Sequence, residues 1–361
     1  MAKYRMSILA GLFALTLATP PMFFEIYRTA AFNTAPRDDY APYLLTLLRI
    51  ENKVPNAPFA YSTGPALKAT LYRGENKIPN APFAYRPISV AVAIPFYYAV
   101  PLYTFSNLTV VDVPYMKATQ ALCFCSYVCL VLTAFVIYFI CKRQFHATEI
   151  TAFIAGAATF FIDNLIGKHG IDPFVILFIC LLILWMNRPL VFALLVLVSI
   201  GVNEKIPLIF ATVLAFRLMN SMARKRRFTQ LFQLGVSCLA VAGYFAVTHL
   251  VKVPDKDNQT NPALFLAHIR DALQLTFSSK GLVLNVLPVF VLFLIVGLAL
   301  KCRRQSGFVV SDLSAIFLLL ILGLLADLRY NVGRIVMHAY PLYLPAAACF
   351  LDDVLKLKDK S

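Results

Sequence analysis

Apolar residues fall along this chain in long blocks separated by short polar breaks, not in the strict alternation of a half-buried strand. Such blocks read as membrane spans, which need about 20 residues, or about 17 at the short end. Ten candidates occur, at residues 6–24, 119–141, 150–167, 173–187, 189–202, 206–219, 229–250, 281–300, 307–326 and 335–350. The pattern predicts an all-α polytopic membrane protein, a single transmembrane domain over residues 1–361. The first block follows Lys3 and Arg5 as a signal sequence would, but "LATPPM" is a poor cleavage site, so an uncleaved first span is expected.

Two blocks are too short to cross alone. Residues 189–202 and 206–219 flank Asn203, Glu204 and Lys205, and arms of about fourteen residues reach only about 21 Å of a ~30 Å hydrocarbon core. One continuous span over 189–219 would put the basic cluster at 223–227 on the face opposite the other basic clusters. A hairpin of two short helices with "NEK" at its apex avoids that. The segment "ISVAVAIPFYYAVPLYTF" (88–105) is apolar but rich in proline and tyrosine, which fits an interfacial or re-entrant helix better than a crossing one. The outer face then carries a long first loop, 25–118, a second at 251–280, and small loops at 168–172 and 327–334.

Composition sharpens this picture. The chain is 60% hydrophobic and 14% charged, too apolar for a soluble domain of its size. A net charge of +15 would suit a nucleic-acid binder, but the basic residues sit in short clusters between apolar blocks, as topology signals do. No nucleic-acid partner is expected. Lys3/Arg5, Lys142/Arg143, "ARKRR" (223–227) and "KCRR" (301–304) all fall on the face of the N-terminus, which is therefore expected to be cytoplasmic. The eight cysteines lie in or at the ends of apolar runs, without the paired spacing of a zinc site or a disulfide framework. Within the first loop, "TLLRIENKVPNAPFAY" (46–61) returns as "TLYRGENKIPNAPFAY" (70–85). A doubled segment in an exposed loop reads as a tandem duplication, since insertions there are well tolerated.

Ionisable residues in or beside apolar blocks need a reason, because each is expensive at membrane depth. Glu204 and Lys205 are adjacent, so on a helix they point apart and need separate partners. Asp163, Lys168, His169 and Asp172 lie in "FFIDNLIGKHGIDPF", where a polar turn would account for them; Asp172 before Pro173 is a good helix start. "DLRYNVGRIVMHAYPLYLP" carries Arg329, Arg334 and His338, the last two four apart and so on one helical face. Guanidinium groups aimed at one spot suit a lipid phosphate, although interfacial snorkelling would also explain them. Asp38 and Asp39 form an acidic pair soon after the first block, between Arg37 and Tyr40.

The acidic pair early in the first outer loop, "FAYRPISVAVAIPFY" before the second span, "GVNEKIPLIF" and "RYNVGRIVMHAYPLYLP" together resemble the GT-C class of integral-membrane glycosyltransferases. The chain departs from many of that class in its shorter length, in lacking a C-terminal soluble domain, and in the duplicated loop. The resemblance implies an enzyme that moves a sugar from a polyprenyl-phosphate carrier to a glycan or lipid acceptor hydroxyl at the outer face. Asp38 or Asp39 would act as general base, or hold a divalent cation, Mg or Mn, and the anomeric centre would invert. Arg86, Lys168, His169, Glu204, Lys205, Arg329, Arg334 and His338 would form the substrate- and phosphate-binding set. The expected location is a bacterial inner membrane, amid membrane lipids, with a periplasmic active face. Competing readings are a flippase or transporter for lipid-linked sugars, a polymerase or ligase of lipid-linked glycans, and a non-catalytic assembly subunit.

Overall fold

The structure, a computed structural model, describes residue 44 and residues 87–101, 113–166, 172–220, 224–250, 265–302, 310–325 and 332–355. Every regular element among the described residues is helical, as the apolar blocks predict. In chain order these are α1 (Pro87–Ala91), α2 (Ile94–Ala99), α3 (Val113–Gln144), α4 (Glu149–Ile166), α5 (Asp172–Leu184), α6 (Pro189–Ser199), α7 (Lys205–Asn220) and α8 (Arg224–Leu250). There follow α9 (Phe265–Thr276), α10 (Ser279–Leu300), α11 (Val310–Leu325), α12 (Val332–Met337) and α13 (Leu344–Leu355).

Among the described residues, three stretches of helix are long and apolar enough to cross a bilayer alone: Lys117–Gln144 in α3, Phe228–Thr248 in α8, and α10. α12 and α13 make a fourth if taken as one span bent by 61°. These three to four candidates stand where the apolar blocks predict ten. The difference has a physical basis: α5 has 13 helical residues and α6 has 11, or about 20 Å and 16 Å at 1.5 Å per residue. The block at 6–24 lies outside the described residues.

The block at 335–350, predicted as one span, is broken. Pro341 and Pro345 lack the backbone N–H that would continue the ladder, and Tyr340–Leu342 tighten into a 3₁₀ turn between α12 and α13. The hairpin predicted around "NEK" is present. Phe192 of α6 and Phe210 of α7 meet edge to face with ring centroids 5.5 Å apart. Eighteen residues of straight helix would hold those rings about 27 Å apart, so the chain folds back between them. Asn203 caps α7, its Oδ1 accepting from Lys205 N at 3.1 Å. The 88–105 segment makes the short pair α1 and α2, with no long helix among its described residues.

α5 lies at the centre. Ten of its thirteen residues are buried, on all sides, as expected of a helix apolar all round. α3 packs against α4 and α5, α7 against α8 and α11, and α10 against α12 and α13. Interhelical bonds gather the helix ends on two faces. On one face Gln144 Nε2 donates to Ile183 O at 3.3 Å and Gln233 Nε2 to Met186 O at 2.6 Å. The same face holds Glu149 of α4, which pairs with Lys142 at 3.1 Å and accepts from the Tyr138 hydroxyl. There too the buried Asp352 of α13 accepts from Thr148 N at 2.9 Å, from Thr148 Oγ1 at 2.8 Å and from Thr151 Oγ1. The opposite face holds the start of α5, the α6–α7 apex, α1 and α12.

Candidate functional site

Asp172 opens α5 with Pro173 behind it, a favourable helix start because proline has no N–H to leave unpaired and the carboxylate faces the positive end of the helix dipole. The central position of α5 buries that carboxylate, leaving Asp172 only 5% exposed. A buried charge needs an opposite one nearby. α12 brings it: Arg334 Nε lies 3.3 Å from Asp172 Oδ2, and His338 Nε2 lies 3.5 Å from Asp172 Oδ1. The spacing of four residues puts the two basic side chains on one face, as predicted.

His338 is fully buried, while the Arg334 side chain is 30% exposed and so reaches toward the outside of the bundle. These contacts are close polar approaches more than aligned hydrogen bonds. His338 Nδ1, also buried, has no hydrogen-bond partner among the described residues.

The α6–α7 apex completes the cluster. Lys205, at the first position of α7, is near enough to act electrostatically on both Asp172 and His338. Asn203 is buried beneath it and Glu204 is half-buried beside it. The apex in turn carries α1: Ile88 N donates to Gly201 O at 2.9 Å. The approach is close, since a Cβ on Gly201 would stand 2.8 Å from Ile88 Cδ1. α2 continues over α3, where Lys117 sits 4.9 Å from the centre of the Tyr97 ring. The segment with proline and tyrosine thus docks on the apex that holds "NEK".

The structure therefore brings together three of the expected basic residues, Lys205, Arg334 and His338, around one carboxylate. Glu204 shares their apex. Asp38, Asp39, Arg86, Lys168, His169 and Arg329 lie outside the described residues, as do the duplicated segments 46–61 and 70–85. Sequence reasoning treats Asp172 as a helix start and does not assign it to the site; a carboxylate heading an otherwise wholly apolar helix is the signal that marks it. Asn285 also escapes it, although this residue is the only amide in "GLVLNVLPVF".

Among the described residues no group of three or more His, Cys, Asp or Glu side chains is arranged to hold a metal. Asp172 does not suit a divalent ion, because Arg334 and His338 already face it and Lys205 adds positive charge nearby. What the cluster can do is receive an anion: a guanidinium and an imidazole flank the buried Asp172, with the Lys205 ammonium near them and Glu204 beside it. Comparison with protein-family models, with curated proteins and with solved structures finds no match to this chain, so its chemistry rests on these residues.

Proposed function

We propose that the protein is a membrane glycosyltransferase of GT-C type, transferring a sugar from a polyprenyl-phosphate carrier to a glycan or lipid hydroxyl. The observation that carries this reading is the gathering of Lys205, Arg334 and His338 around Asp172, beneath the apex on which α1 docks. Ionisable groups at membrane depth are rare and tend to mark substrate paths. Arginine and lysine at such a place suit a phosphate that must be held while its ester bond breaks.

In this reading Asp38 or Asp39 takes the proton of the acceptor hydroxyl. The acceptor oxygen attacks the anomeric carbon from the side opposite the phosphate, the carbon–oxygen bond to the phosphate breaks, and the configuration inverts. The polyprenyl phosphate leaves with the electron pair, and Arg334 and Lys205 stabilise the charge that develops on it. A divalent ion, if used, falls to Asp38 and Asp39, and no step above runs through it. Ten spans, a cytoplasmic N-terminus and a periplasmic active face in a bacterial inner membrane belong to the same reading.

A second reading, a flippase or transporter for lipid-linked sugars, draws on another observation. The α12–α13 bend, an interrupted helix, and the α6–α7 hairpin apex meet at the charged cluster, and broken helices meet at substrate sites in transporters. One experiment separates the two: mass spectrometry of surface glycans from a strain lacking the gene, complemented with wild type or with Asp38→Asn/Asp39→Asn at equal membrane level. The proposed enzyme requires that the wild type restore one sugar and that the variant lose at least about a hundredfold of it, the lower range for a general base. Equal restoration by both would sink the general-base assignment and put transport first.

A further inference from the structure

Asn285 sits 3% exposed inside a π-helical turn, Leu282–Val286, near the start of α10. Such turns displace side chains from regular helical register and often occur at working sites. The amide of Asn285 is used in two directions. Its Oδ1 accepts from Gly333 N at 3.1 Å, and its Nδ2 donates to Thr276 Oγ1 at 3.1 Å, at the end of α9. Gly333 is the residue before Arg334 and lies in the first turn of α12, where backbone N–H groups have no partner within their own helix. Asn285 therefore caps α12 from a different helix. Contact at this point is backbone to backbone: a Cβ on Gly333 would stand 2.6 Å from Asn285 Cα. Glycine is required here, and α12, which bears Arg334 and leads directly into His338, is seated against α10 with little room to turn.

We propose that Asn285 is the positioning residue of the basic cluster. By capping α12 through Gly333 N it holds Arg334 against Asp172 and keeps His338 one turn below. Through Thr276 it fixes that setting to α9, which packs on α11 and leaves Leu266, Leu273 and Phe277 exposed beside it. The inference deepens the reading of this cluster as the phosphate-facing site and rests on it for its consequence, though not for its geometry.

The test uses the full chain in nanodiscs. Asp172→Asn, Arg334→Gln and the double variant give the Asp172–Arg334 coupling as the non-additive part of their shifts in melting temperature. The cycle is then repeated in an Asn285→Leu background, which keeps the volume and removes both hydrogen bonds. Positioning requires the coupling to fall by at least about half, because contacting pairs are the ones that fail to add. An unchanged coupling overturns the proposal however much the melting temperature drops, since a merely structural asparagine would lower stability and leave the pair intact. Where Asn285→Leu does not accumulate, Thr276→Val frees the amide nitrogen alone; the coupling then falls by a smaller amount, and an unchanged value again overturns the proposal. In parallel, polyprenyl phosphate is titrated into the nanodiscs. Binding about tenfold weaker in Asn285→Leu than in wild type is expected, the scale of one misplaced charge-assisted contact. Collapse of the coupling with no polyprenyl phosphate binding to the wild type would leave positioning standing and remove the phosphate reading.

Discussion

Asp172 is held at the head of a helix that is closed off on all sides, where an isolated carboxylate would lose several kcal/mol of hydration. Arg334 at 3.3 Å and His338 at 3.5 Å offset that loss. Arg334→Gln is expected to destabilise the chain by about 2–3 kcal/mol, below the ~3–5 kcal/mol of a fully enclosed pair because the guanidinium is partly exposed. Denaturant unfolding in detergent checks this, and a change under about 0.5 kcal/mol, the range of ordinary surface substitutions, would mean that the pair is incidental. Part of the site is legible before any fold is known. Arg334 and His338 are four apart, and Lys205 interrupts an apolar run, so spacing and desolvation mark them. The joining of α5 to α12 is not legible, because it links residues about 160 positions apart through packing that no local pattern encodes. Asn285 is visible only as a polar residue in an apolar run; its purpose depends on Gly333, which appears in sequence as one more small residue.

At the scale of elements, helix class follows from the apolar blocks, and so does the α6–α7 turn. Two short arms around three polar residues admit few other solutions. Helix length is less legible, since an averaged apolar block conceals a proline that breaks the ladder, as in "HAYPLYLP", where α12 and α13 part at 61°. The hairpin makes its own prediction. Phe210→Ala removes the aromatic partner of Phe192 in the core and is expected to lose about 3–5 kcal/mol. Phe192→Ala and Phe210→Ala combined should lose less than the sum of the two, because the rings touch. Strict additivity in the measured unfolding free energies would favour a straight helix through this region.

For the whole molecule, two separate polar clusters lie on opposite faces, and only one of them holds the proposed phosphate site. Asp352 ties α13 to the start of α4 through Thr148 and Thr151, on the face opposite the basic cluster. Asp352→Ala leaves those donors without their acceptor and is expected to cost about 2–4 kcal/mol. Its signature is a lower melting temperature with polyprenyl phosphate affinity unchanged; weakened affinity at full stability would show that the two faces are linked. The same architecture has a consequence in time. Asp172 leaves the ribosome about 160 residues ahead of Arg334, roughly ten to thirty seconds at ~5–20 residues per second. Lys205 is the first of its basic neighbours to arrive, and the His338 imidazole the last. A chain interrupted before residue 334 thus carries the acid at the head of its central helix with Lys205 alone to offset it and both of its direct partners missing, and the charge balance of one buried site records whether synthesis has run its course.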